Sequence, residues 1–149
     1  MKTSSQLIDH CKNALENNWK YVYGAKGKIL TKAEIKNLQK RWGKDNVHDS
    51  DVQNKGGHIC CDCSGLISSL TGTERNTAGY YNTANEIKGI NERNSSMVGW
   101  GVWKSRHIGV YDGNDGYYAM ESSDKNMVHN NLSQNKFTHI IKLCDINYG

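Results

Sequence analysis

The stretch GGHICCDCSGLI, Gly56 to Ile67, holds three of the chain's five cysteines, Cys60, Cys61 and Cys63, with His58 just ahead of them. Such crowding suits a metal knuckle, a redox pair, a disulfide node, or one reactive thiol with two bystanders. Structural zinc sites usually join two ligand pairs that lie far apart in sequence. No second Cys/His pair stands at suitable spacing, and ligands at adjacent Cys60 and Cys61 would point apart, which argues against a metal. Cys60 and Cys63 have the C-x-x-C spacing, but no βαβ unit precedes them as a thioredoxin-like site requires. An odd number of cysteines excludes a complete disulfide framework within one chain. Three packed structural thiols are the commoner outcome, yet that reading leaves Asp62, Ser64 and Gly65 around Cys63 unexplained.

A nucleophile explains them. CSGLISSL reads as a short helix opening at Cys63. A thiol there feels the positive end of the helix dipole, which favours thiolate. Backbone N–H groups at the same helix start are free to bind an oxyanion. Gly65 permits close approach of another chain or a substrate, while Leu66, Ile67 and Leu70 anchor the helix in a core. Such a thiol needs a base. In SRHIGVY, Ile108 and Val110 alternate with His107, Gly109 and Tyr111, so one strand face is apolar and the other displays the His107 imidazole. His10, His48, His129 and His139 read as surface or internally satisfied residues. A base also wants a partner that fixes its tautomer. DGNDG, Asp112 to Gly116, has the composition of a hairpin turn, so GYYAMES returns antiparallel to HIGVY and brings Glu121 level with His107. Glu121 is equally a plain strand-end charge on spacing alone.

Around these residues the chain must supply a scaffold. Ser4 or Ser5 is placed to cap a helix to about Asn18, with Leu7, Cys11, Ala14 and Leu15 on one face. WKYVYG, Trp19 to Gly24, is a short β-prone stretch. Thr31 and Glu34 form a capping box for a second helix through about Arg41, with Ile35 and Leu38 inward. Gly43 to Gly57 is polar and glycine-bounded, and reads as a surface loop. A helical piece is expected near Ala78 to Ile87. From Met97 onward, SMVGWGVW, HIGVYDG, GYYAMES, NMVHNNL and FTHIIKLC are β-prone runs separated by Gly, Asn and Asp turns. Helices first and strands later make an α+β fold with a mostly antiparallel sheet. Cys11 and Cys144 read as small buried hydrophobes.

With 149 residues, the chain suits one domain. Its net charge of +4 is mild, and its lysines and arginines are scattered rather than gathered into a nucleic-acid stripe. No apolar run is long enough to span a membrane, and MKTSSQLIDHCKNALENN has no apolar core for a signal peptide.

DCSGLI, the later HIGVY and a polar residue on the following strand resemble the NlpC/P60 family, papain-like cysteine peptidases that cut bacterial peptidoglycan. YVYGA, Tyr21 to Ala25, resembles that family's Tyr-x-aromatic-Gly-Gly stretch, with Ala25 in place of the second glycine. YGAKGKILT, RNTAGYY and VGWGVWKSRHIGVY are similar to the catalytic domains of phage endolysins. The resemblance runs from about Trp19 to Cys144. It implies a single catalytic domain over 1–149, with N-terminal helices packed on a five- or six-stranded antiparallel sheet. It also implies a catalytic set of Cys63 as nucleophile, His107 as base and Glu121 as orienting residue, with Tyr21, Asp62 and Ser64 on the substrate side. Two departures stand out. An insertion of about 31–57 separates the tyrosine stretch from the cysteine, as a lid or groove wall, and Met97 to Gly101 replaces the Pro-Gly-Asp that often precedes the histidine strand.

The implied activity is hydrolysis of a peptidoglycan stem-peptide amide, at the bond between D-glutamate and the diamino acid, through an acyl-enzyme. The alternatives are an N-acetylmuramoyl-L-alanine amidase of the same fold or a non-catalytic wall-binding module. A tail or conjugation hydrolase, or an antibacterial toxin, would share the chemistry. No metal or cofactor is called for. The expected partner of this monomer is bacterial peptidoglycan, with neither nucleic acid nor membrane insertion. The expected setting is synthesis in a host cytoplasm without a signal peptide, followed by antimicrobial action at the wall during phage lysis.

Overall fold

A computed structural model describes every residue from Met1 to Gly149. The first helix, α1 (Ser4–Glu16), is capped by Thr3 rather than by Ser4 or Ser5, because only Thr3 stands three residues before a glutamine. Thr3 Oγ1 accepts from the Gln6 N–H while Gln6 Oε1 accepts from the Thr3 N–H, a reciprocal capping box. Next come β1 (Lys20–Tyr21) and β2 (Lys26–Ile29). The Thr31–Glu34 box opens α2 (Lys32–Trp42) as expected.

The polar segment that follows is not a loop. It folds as α3 (Asp49–Asn54), which buries Val52 and Asp51. Apolar periodicity could not reveal it, because an ion pair anchors it: Lys55 Nζ lies 2.5 Å from Asp51 Oδ1, with both side chains out of solvent. The same ammonium donates to the Tyr21 carbonyl at 2.7 Å and the Ser123 carbonyl at 2.8 Å. The 31–57 insertion is thereby tied both to the first strand and to a turn about seventy residues further along. Val22, Ala25, Ile35, Val47, Val52 and Cys60 form its small core.

Strand β3 (Ile59–Cys61) lies between β1, parallel to it, and β2, antiparallel. It delivers the chain to α4 (Cys63–Thr71), which Gly72 ends in a left-handed conformation. A seven-residue helix, α5 (Thr77–Thr83), follows. The expected helical piece stops there, since Glu86–Gly89 is a strand, β4, paired antiparallel with the last strand of the sheet.

The remaining strands are β5 (Gly101–Lys104), β6 (His107–Tyr111), β7 (Gly116–Ser122), β8 (Asn126–Asn131) and β9 (His139–Lys142). They complete a six-stranded sheet in the order β4-β9-β5-β6-β7-β8. Every pairing in it is antiparallel, so the expected α+β architecture holds, with six strands.

Both faces of this sheet are covered. On one, Ile108, Val110, Tyr118, Met120 and Ile141 pack with Leu7, Cys11 and Ala14 of α1 and Leu66 and Ile67 of α4. Each fully buried Leu or Ile there contributes about 1.5–3 kcal/mol of transfer free energy. On the other, Val102, Tyr111, Tyr117, Ala119 and Ile140 meet Met97, Trp100, Leu132 and Phe137. Gly109 is required between β6 and β7, because a Cβ there would sit 2.8 Å from the Tyr118 carbonyl oxygen. Cys11 is buried, as its helical spacing indicates, but Cys144 is not: it follows β9 in a turn, half-exposed, with its thiol 3.6 Å from Asp145 Oδ1.

Candidate active site

Three connections converge at one end of the large sheet. Adjacent antiparallel strands alternate in direction, so the β5–β6 turn, the β7–β8 turn and the approach to β9 share that end. The N-terminus of α4 opens toward it. Cys63 is the first residue of that helix, and Asp62 is its cap, accepting from the Gly65 N–H at 2.8 Å.

The cap accounts for which donors remain. The first N–H groups of a helix have no intrahelical acceptor. Here Asp62 N–H donates to the Ala25 carbonyl, Gly65 N–H to the Asp62 carboxylate, and Leu66 N–H to the Asp62 carbonyl. The N–H groups of Cys63 and Ser64 are left without a protein acceptor, beside the thiol. Gly65 does admit close approach, but by the chain itself. A Cβ there would meet the Ala25 carbonyl oxygen and Asp62 Oδ1, each at 2.8 Å.

His107 and Glu121 face each other by register. Val110 pairs with Tyr118 and Tyr111 with Tyr117; continuing that ladder sets His107 opposite Glu121 with both side chains on one face. His107 Nε2 is 2.7 Å from Glu121 Oε1. Glu121 is itself held twice more: Asn135 Nδ2 donates to Oε1 at 3.0 Å, and the Tyr117 hydroxyl donates to Oε2. The Phe137 ring lies nearly parallel to the imidazole, 5.6 Å away. With Nε2 committed to the carboxylate, Nδ1 is the nitrogen left to exchange a proton with sulfur.

The electrostatics follow this arrangement. Burial alone would lower the His107 pKa, but the neighbouring Cys63 sulfur and the Glu121 carboxylate overcome it and push it up to about 9. Glu121 is held below its ordinary value, because the bonds from His107, Tyr117 and Asn135 outweigh its burial. Burial, then the adjacent Glu121 charge, push the Tyr117 phenol up to about 12, so it stays a donor. The Cys63 thiol lies against the imidazole, whose pKa it raises. Its other contacts are Thr77 Oγ1 at 3.6 Å and the Arg106 carbonyl at 3.9 Å.

Tyr21 lines the cleft beside His107 and Glu121. Burial first, and then the nearby Cys63 and Asp62, raise its phenol well above the ordinary range, keeping the proton on oxygen. Asp62 and Ser64 are buried and do not line the cleft. Asp62 also accepts from the Gly24 N–H at 3.1 Å, and Ser64 Oγ donates to Asp62 Oδ1 at 3.3 Å. Cys60 and Cys61 are fully buried, and burial pushes the first up to about 11 and the second well above its ordinary value, so both remain thiols. His58 and the three cysteines do not converge into a cluster able to hold a metal. No residue of the 31–57 insertion lines the cleft.

Three contributors were not apparent from the sequence: Thr77, Tyr117 and Asn135. Tyr117 could have been found, since a residue four positions before Glu121 on a strand shares its face. Thr77 and Asn135 arrive from separate connections and carry no local signal.

The backbone superposes on the peptidoglycan hydrolase RipB from Mycobacterium tuberculosis with a TM-score of 0.58, covering 97% of this chain and 67% of that one at 16% identity. It is similar as well to the P60 domain of the Mycobacterium avium subspecies paratuberculosis antigen MAP1204, with a TM-score of 0.53, covering 97% of this chain and 98% of that one at 16% identity. The fold is that of an NlpC/P60 domain. No protein-family model and no curated protein matches the sequence. Within this fold, the helix bearing Cys63 and the strand pair bearing His107 and Glu121 both follow the 31–57 insertion in sequence; His107 and Glu121 line the cleft, and the Cys63 thiol reaches its wall through the Arg106 carbonyl.

Proposed function

We propose that this protein is a peptidoglycan hydrolase, a cysteine endopeptidase of endolysin type that cuts a stem-peptide amide at the bond between D-glutamate and the diamino acid. The observation that carries the reading is the convergence of the Cys63 thiol at a helix mouth with an imidazole whose far nitrogen is fixed by Glu121 at 2.7 Å. His107 Nδ1 takes the proton from Cys63 Sγ, and the thiolate attacks the peptide carbonyl carbon. The developing oxyanion is met by the free N–H groups of Cys63 and Ser64 and by the Tyr21 hydroxyl. His107 then protonates the leaving amine as the C–N bond breaks. Water, deprotonated by His107, hydrolyses the thioester and restores the thiol.

The endolysin assignment and action at the bacterial wall rest on the likeness of YGAKGKILT, RNTAGYY and VGWGVWKSRHIGVY to endolysin catalytic domains. The net charge of +4 suits approach to an anionic wall. Purified protein added to Gram-positive cell walls should clear their turbidity, and mass spectrometry of the fragments should reveal a new diamino-acid N-terminus. Walls cleared equally by the Cys63→Ala protein would refute the thiol mechanism. Fragments beginning at L-alanine would replace the endopeptidase with an amidase.

A further inference from the structure

The cleft beside Cys63 has a volume of about 430 Å³, and three of its ten lining residues are cations, Lys104, Arg106 and Lys125. The one carboxylate in the lining, Glu121, already accepts from His107, Asn135 and Tyr117. None of the three cations lies within 4.0 Å of a carboxylate, whereas Lys26, Arg75 and Arg93 elsewhere on the surface each have an acidic partner. Asp124, next to Lys125, does not line the cleft. Ser105, Ser122, Gln134 and Asn135 complete the lining as neutral polar groups. A concave site of this kind presents positive charge that the protein itself does not neutralise.

The placement of the cations is fixed by the sheet. Lys104 ends β5 opposite His107, Arg106 belongs to the turn that leads into His107, and Lys125 belongs to the turn just after Glu121. The two turns flank the imidazole–carboxylate pair at the same end of the sheet. Arg106 holds φ at 69°, a conformation unusual for a side chain other than glycine. Its carbonyl contacts the Cys63 thiol at 3.9 Å, so its backbone is part of the site's wall while its side chain remains exposed.

We propose that Lys104, Arg106 and Lys125 form a carboxylate-recognition site, so that this cleft selects a peptide bearing a free carboxylate beside the scissile bond over the same peptide with that carboxylate amidated. The inference rests on the hydrolase reading and sharpens it, because stem peptides carry carboxylates that occur both free and as primary amides. A charged hydrogen bond to an ammonium or guanidinium is stronger than a neutral one. An amide gains little from the cations and leaves them facing uncompensated in a concave site, which supplies discrimination.

Two soluble stem peptides, identical except for a free carboxylate or a carboxamide on the D-glutamyl residue, provide the test. They carry no anionic wall polymer, so any preference belongs to the cleft rather than to general attraction to the wall. The acid should be cleaved with kcat/KM about tenfold higher, chiefly through a lower KM, as expected for one charge-assisted contact of about 1.4 kcal/mol. Added salt should shrink that ratio. In the triple variant K104Q/R106Q/K125Q the ratio should fall close to one. A loss of folding would lower both rates together and leave the ratio unchanged, so the ratio separates recognition from structure. Equal kcat/KM for the two peptides at low salt, or a tenfold ratio that survives the triple substitution, would overturn the proposal and leave the hydrolase standing. Failure to cut either peptide, with cell walls also intact, would overturn the hydrolase reading itself.

Discussion

Two buried polar clusters lie on either side of Tyr21, and they are built to opposite ends. In the first, Lys55 Nζ is met by Asp51 Oδ1, the Tyr21 carbonyl and the Ser123 carbonyl, and Ser123 Oγ donates to Asp51 Oδ1. Each charge has its partner, and the cluster faces no cleft. In the second, Glu121 is fully engaged, but the N–H groups of Cys63 and Ser64 have no protein acceptor, and the His107–Glu121 pair opens on a cleft of about 430 Å³. Helix-start N–H groups that keep no protein acceptor are free to meet an oxygen from outside the chain. The closed cluster only holds the insertion in place.

That contrast can be broken at each end. The largest effect is expected at the open cluster: Cys63→Ala should lower wall-lytic activity at least about 10⁴-fold, with the urea midpoint nearly unchanged. His107→Ala should be close to that, while Cys60→Ser and Cys61→Ser should keep most activity per folded molecule, since neither thiol reaches the cleft. At the closed cluster the pattern inverts. Lys55→Met should cost about 3–5 kcal/mol in denaturant unfolding, because it leaves the Asp51 carboxylate buried and alone. The double variant Asp51→Leu with Lys55→Met should lose less than the single one.

Glu121→Gln falls between these. An activity loss of about 10- to 100-fold is expected, as for a group that orients and charges the base rather than replacing it. Its signature lies in pH. His107 is held up to about 9, above its ordinary 6.5, so its proton is present below that range and lost as pH rises through about 9. The alkaline limb of kcat/KM should therefore lie near pH 9 and move toward neutrality in Glu121→Gln. The same linkage means that the pair's contribution to stability is full below 6.5 and disappears as pH rises through about 9. The smallest effects belong to the groups that hold Glu121. Tyr117→Phe and Asn135→Ala should each cost about 3- to 10-fold, the loss expected from one hydrogen bond, with a partial shift of the same alkaline limb.

The open cluster was far more legible in the sequence than the closed one. Cys63, His107 and Glu121 sit on regular elements whose periods are local: a helix start, an alternating strand, and a turn of known composition. The closed cluster joins residue 51 to residue 123, and α3 has too few apolar residues for its helical period to show. Only the tertiary partners of Asp51 and Lys55 make it a helix worth burying. Asp62 and Ser64 were expected at the substrate side on motif grounds, and their position in the motif is equally that of a cap and its support, which is the role their hydrogen bonds display. Asn135 was hidden for the same reason as α3, since it reaches Glu121 from a connection between strands.

The turn from Asp112 to Gly116 acts as a ruler. Asp112 Oδ1 accepts from the N–H groups of Asn114 and Gly116, and its other oxygen meets His129 Nε2, so the length of this connection is fastened from inside and from the neighbouring strand. The ladder that it starts sets Glu121 opposite His107. Because side chains alternate across a strand, one residue added to or removed from this turn would send Glu121 to the far face. This hairpin constrains length as well as composition: the distance from histidine to glutamate is written as a count of residues.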